Sequence, residues 1–250
     1  MHKRSIIVMV AIGAMTISVG LSAGWEDLLK DATDSVKTTG GSGQVSGLTT
    51  AEMDGGLKEA LAVGAERAIK GLSRKGGYLN DPAVRIPLPG ALEKTEKVLR
   101  MMGQDEAVDE FITTVNRAAE RAIPQASKIV GNAVRQMTIA DAQKILTGPD
   151  DSATQYFRRK TTKPLTAAML PIVKKATASA GVTSAYKGMI DKAGPASSLM
   201  GDSLDLDAYV TEKTLDGLFL KVAAEEKAIR TNPVARSTDL LKKVFGAVKR

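Results

Sequence analysis

Arg85 has the clearest capacity to hold a ligand in this 250-residue chain, because it sits between Val84 and Ile86 in the segment GGYLNDPAVRIPLPG (residues 76–90). A guanidinium presents a rigid fork of N–H donors that matches a carboxylate or phosphate bidentately. The competing role is internal: an ion pair to a helix carboxylate that would pin the segment down, with Glu120 as the expected partner. Asn80 opens the run Asn80-Asp81-Pro82, which has the residues of an Asx-type turn. Asn116 and Glu120, four residues apart, share one helix face among Val115, Ala118, Ala119 and Ala122. A polar pair beside so many small side chains either lines a cavity or closes a local hydrogen bond. Arg85, Asn80, Asn116 and Glu120 are therefore the candidate ligand-binding residues. No catalytic residue and no metal ligand is assigned.

The residues that are missing decide more than those present. The chain has no Cys, and its only His is His2. A mature form lacking the first residues has neither, which removes Ser-His-Asp and Cys-His catalysis and zinc held through nitrogen or sulfur. No cofactor is implied. Ser184-x-x-Lys187 has the Ser-Lys spacing of penicillin-recognising enzymes, but Ser-Asp-Asn and Lys-Thr-Gly companions are absent. Asp202, Asp205 and Asp207 lack the glycine and the full alternation of a calcium loop and read as a solvated helix start. Tyr156-Phe157-Arg158-Arg159-Lys160 fits aromatics facing a core and cations facing water better than it fits a nucleic-acid platform. Ala65-Glu66-Arg67-Ala68-Ile69 recurs at 119–123 and is echoed by Glu226-Lys227-Ala228-Ile229. Ala, Glu, Arg and Ile recur simply as good helix formers; the sharper reading places the three glutamates around a common polar centre.

Helices must position these residues. Thr49-x-x-Glu52 is a capping box, and Leu57, Leu61, Ala65, Ala68, Ile69 and Leu72 follow at helical spacing until Gly76-Gly77. Pro82, Pro87 and Pro89 then forbid helix. Alternating Val84, Ile86 and Leu88 predict an extended segment packed on the domain, with the character of a short edge strand. Further helices fit 91–102, 105–122, 125–136, 139–146, 151–160, 163–180, 183–193, 207–230 and 234–248. Pro124 kinks or breaks the chain, and Thr138-x-x-Asp141 supplies a second capping box. The fold class expected is all-α: a multi-helix bundle with one extended Pro-rich loop at about residues 76–90.

Outside that domain the chain begins with a basic head (Met1 to Arg4), an uncharged apolar run (Ser5 to Val19) and the small-residue exit Gly20-Leu21-Ser22-Ala23. These are the parts of a cleavable secretory signal, residues 1–23, with an uncleaved inner-membrane anchor as the alternative. A short amphipathic helix (24–36) and a Gly/Ser/Thr-rich linker (37–48) lead into a single helical domain, 49–250. The formal charge is +7, and removing Lys3 and Arg4 leaves +5, modest enough not to call for nucleic acid.

Several stretches, read in order, resemble a bacterial family known as domain of unknown function 4197. They are GGYLNDPAVRIPLP (76–89), NRAAE (116–120), DAQKILTG (141–148), TQYFRRKT (154–161), YVTEKTLDGLF (209–219) and EEKAIRTNPVARSTDLLKKVFG (225–246). The resemblance covers about residues 48–247. It implies a helical protein exported by Gram-negative bacteria, and no particular activity or ligand.

These readings combine into an exported, periplasmic helical protein that works by binding or scaffolding through the face around residues 76–90. Its partner would be an envelope component or a small anionic ligand. The alternatives are a carboxylate-based cell-wall hydrolase and a lipid-facing peripheral protein. The first is weakened by the absence of the Glu-Ser context of helical lytic transglycosylases. The second would use residues 234–250, whose apolar face (Leu240, Leu241, Val244, Phe245, Val248) is better suited to closing a helical core than to lying on lipid.

Overall fold

A computed structural model describes residues 49–179 and 205–232, with the scattered positions 181, 184, 186–188, 191, 242 and 244. The expected signal, the 24–36 helix and the linker lie outside the described residues, as does most of 234–250.

The described residues are helical and contain no strand. Helix α1 (Thr50–Ser73) is followed by the 76–89 loop and a 3₁₀ turn at Gly90–Leu92. Then come α2 (Glu93–Met101), α3 (Asp105–Ala122), a 3₁₀ turn at Ile123–Gln125, α4 (Ala126–Arg135), α5 (Ile139–Thr147), α6 (Ser152–Ser179) and α7 (Leu206–Thr231). Both capping boxes form: Thr49 Oγ1 accepts from the Glu52 amide at 3.2 Å, and Thr138 Oγ1 accepts from that of Asp141 at 3.1 Å. Each such cap contributes about 1 kcal/mol to its helix. Pro124 falls inside the 3₁₀ turn that separates α3 from α4.

The long helices α6 and α7 pack along each other, α1 lies on α7, and α3 lies on α6. Their shared core is aliphatic, with Phe111, Phe157 and Phe219 as its largest fully buried rings apart from Tyr78. The six apolar positions that define the stripe on α1 are all buried. So are Tyr156 and Phe157, while Arg159 and Lys160 are exposed, as expected from burying aromatics and solvating cations. Lys242 and Val244 are helical, and Val244 is fully buried in the core.

One boundary differs from expectation. The two helices expected at 151–160 and 163–180 are one helix over Ser152–Ser179, α6, which runs through Pro164 and Pro171. A proline inside a helix removes one hydrogen bond and crowds the preceding turn. Here Leu165, Met169 and Val173 are fully buried along the same stretch, and their packing outweighs the local cost.

Candidate functional site

The 76–89 loop is held from behind by α3 and α7. Gly76 has φ of +86°, a conformation natural to glycine, and it turns the chain off the end of α1. The next residues present three backbone N–H groups to one carboxylate: Glu120 Oε1 accepts from Gly76 at 3.1 Å and from Tyr78 and Leu79 at 3.2 Å each. Glu120 Oε2 accepts from Arg117 Nη1 at 2.7 Å. Farther along, Asn116 Oδ1 accepts from the Ile86 amide at 2.8 Å, while its Nδ2 donates to the Ile86 carbonyl at 2.9 Å and to that of Ile112 at 2.7 Å. Asn116 thus supplies to Ile86 the two bonds that a neighbouring strand would. This corrects the expectation of an extended edge strand: residues 76–84 form successive turns, with the Asn80 amide donating to the Gly76 carbonyl and the Val84 and Arg85 amides to that of Asp81, and in the 85–89 stretch that follows the partner of Ile86 is a side chain, so no ladder forms.

Helix α7 makes the other clasps. The Tyr78 hydroxyl donates to the Thr214 carbonyl at 2.6 Å, and the Tyr209 hydroxyl donates to the Pro87 carbonyl at 3.0 Å. Lys221 pairs with Asp81 at 2.5 Å. Tyr78 is completely buried against Gly217, where an added Cβ would come within 2.7 Å of Tyr78 Cε1. Burial pushes the Tyr78 phenol well above its ordinary value, and the nearby Asp216 and Glu120 charges add to the shift. Burial also raises the Tyr209 phenol, to about 12, with Glu212 contributing. Asp81 is held below the usual carboxylate range, first by its hydrogen bond from Lys221 and then by that from the Ala83 amide. The Ala83 contact, 3.1 Å to Asp81 Oδ1, is the expected Asx-type turn.

Val84, Ile86 and Leu88 are buried, and Arg85 and Pro87 between them are exposed. The expected Arg85–Glu120 ion pair is therefore not formed. Glu120 is occupied by backbone donors and Arg117 on the inner side of the loop, and no carboxylate among the described residues pairs with Arg85. The Asn116 and Glu120 side chains do not bond each other, and both lie beneath the loop. Asn80 is exposed at the opposite end, beside Gly76.

On its outer side the loop walls an open groove of about 320 Å³, lined by Ala83 to Ile86, by Arg158 of α6, and by Lys213, Asp216, Gly217 and Leu220 of α7. Arg158 and Lys213 share Asp216, at 3.7 and 3.3 Å. The Arg158 guanidinium also lies over the Phe219 ring, 4.7 Å from its centroid, a cation–π contact that orients it. Leu220 is 47% exposed. Of the four candidate residues, only Arg85 reaches this groove. Of the other charged groove residues, Arg158 lies in the aromatic and cationic run 156–160, and Lys213 and Asp216 lie in the stretch 209–219 that carries the family resemblance.

The three Glu-containing echoes do not share a centre. Glu226 caps the start of α6, accepting from the Ala153 amide at 3.0 Å and from the Thr154 amide and hydroxyl at 2.9 Å each, with Arg230 as its ion partner at 2.8 Å. Glu66 instead makes a partly exposed pair with Lys70. Ser184 and Lys187 are both exposed. Asp205 caps α7 and Asp207 accepts from Thr177, while Asp202 lies outside the described residues.

The groove, the two-helix clasp and the all-α frame define a helical protein built around one tethered loop. The chain belongs to the family described as Protein of unknown function (DUF4197), whose model matches residues 47–246. Comparison with curated proteins and with solved structures gives no match.

Proposed function

We propose that the protein is an exported, periplasmic binding module that takes an anionic envelope component in the groove outside residues 83–86. Arg85 is the ligand-facing cation, and Asn116 and Glu120 are positioning residues that hold the loop. The observation that carries this reading is that the loop is fully clasped without Arg85. A cation kept exposed between two buried apolar neighbours is free to meet an external anion. The basic head, apolar run and small-residue exit of residues 1–23 support export. Two of the three buried glutamates among the described residues, Glu120 and Glu226, have their oxygens engaged by backbone donors and arginines, an arrangement suited to capping.

Thermal melts of wild type and Arg85→Ala, with and without envelope extract, test the reading. The free proteins should melt alike, and extract should stabilise the wild type alone. An Arg85→Ala protein that extract stabilises as well as it does the wild type would refute it.

A further inference from the structure

Resting on that reading of the groove, we infer that its ligand is a phosphate monoester carried on a hydroxyl-bearing organic group. The charge pattern points there. Among the described residues, Arg85, Arg158 and Lys213 line one groove together with a single carboxylate, Asp216. Formally this leaves two positive charges, the complement of a phosphate monoester in its dianionic form. A carboxylate or a phosphodiester brings one negative charge and leaves the groove under-neutralised.

The donor geometry agrees with the charge. A phosphoryl group has three terminal oxygens, and planar guanidinium forks together with a compact ammonium suit it. Arg158 is oriented by Phe219, and its contact with Asp216, 3.7 Å, is too long for a hydrogen bond. Arg158 therefore keeps donors for a ligand, and Arg85 keeps all of its own. Asp216, half exposed, is an acceptor for a hydroxyl on the ligand, and Leu220 offers an apolar edge to the carbon skeleton. The same headgroup chemistry occurs in free polyol or sugar phosphates and in lipids ending in a phosphate monoester.

Isothermal titration of the intact protein at about 0.15 M salt, near physiological ionic strength, tests the inference. The probes are glycerol phosphate, inorganic phosphate, a glycerophosphodiester and succinate, alongside vesicles with and without phosphatidic acid. Glycerol phosphate should bind at least about tenfold more tightly than the diester and than succinate, which matches it in charge but lacks phosphoryl geometry. Arg85→Glu should weaken binding by about a hundredfold or more, and Arg85→Lys by less, because a lysine keeps the charge and loses the fork. Affinity should also fall as pH drops below about 6, where the monoester takes up its second proton. Tight binding to phosphatidic acid vesicles with weak binding of glycerol phosphate identifies the lipid source; the reverse identifies the soluble one. No binding to any monoester, or succinate binding as well as glycerol phosphate, overturns the inference. If extract still stabilises wild type and not Arg85→Ala in that case, the groove remains the site and only the phosphoryl assignment fails.

Discussion

Asn116→Asp is the most informative change to the clasp, because it keeps the shape of the side chain and inverts one of its two polar atoms. The retained oxygen can still accept from Ile86 at the 2.8 Å distance of the native bond. The new oxygen replaces a nitrogen that donates to the Ile86 and Ile112 carbonyls at 2.9 and 2.7 Å, so two attractions become two repulsions at a completely buried site. Turning a buried hydrogen bond into a repulsion costs about 1–3 kcal/mol at each carbonyl, so a loss of about 3–5 kcal/mol at pH 7 is expected. That is a large part of the 5–15 kcal/mol by which domains are typically stable. The introduced carboxyl relieves its position by binding a proton, which lets it donate one bond. Its folded pKa is therefore raised above the unfolded value of about 3.9. The gap to wild type should be smallest below that value and should grow as pH rises through the folded pKa. Urea melts of both proteins between pH 4 and pH 7 measure this. A gap under about 0.5 kcal/mol, ordinary for a harmless surface change, or one independent of pH, would show that Asn116 does not hold Ile86.

Three further outcomes follow from the same contacts. Glu226→Ala strips the start of α6 of its acceptor and removes a 2.8 Å ion pair to Arg230 whose side chains are each 5% exposed; urea melts should show a loss of about 3–5 kcal/mol. Gly217→Ala adds a good helix former to α7, worth about 1 kcal/mol on propensity alone, yet a Cβ there meets Tyr78 at 2.7 Å, so calorimetry should show a lower, not higher, Tm. Tyr78→Phe should cost about 1 kcal/mol at neutral pH through loss of the hydroxyl–Thr214 bond. Because the Tyr78 pKa is raised on folding, its contribution is complete below the unfolded value of about 10 and is lost as pH rises above it. The wild-type advantage should therefore shrink in melts above that pH, and an advantage unchanged there would contradict the buried, protonated phenol.

The frame was legible because its signals are local. Thr49-x-x-Glu52 and Thr138-x-x-Asp141 each act within one turn, and the α1 stripe is read from one helix alone. The continuity of α6 was not legible, since Pro164 and Pro171 argue locally for a break and the packing that overrides them comes from other helices. The loop was half legible. Alternation of Val84, Ile86 and Leu88 gave the buried side correctly, and the same alternation places Arg85 on the opposite side, which already argues against an internal ion pair. Glu120 does hold the loop, but through backbone amides and not through Arg85, and backbone donors leave no mark on a sequence. Lys213 and Asp216 meet Arg85 only because α7 folds back against a loop more than a hundred residues earlier.

The central claim is that the surface outside residues 83–86 receives the ligand while Asn116 and Glu120 hold the loop beneath it. Hydrogen exchange followed by mass spectrometry, on the intact protein with and without envelope extract, tests this most directly. The account predicts added protection in peptides covering 83–88 and 213–220, with none gained when Arg85→Ala is treated in the same way. Protection confined to α4 and α5, or equal in the two proteins, would contradict it.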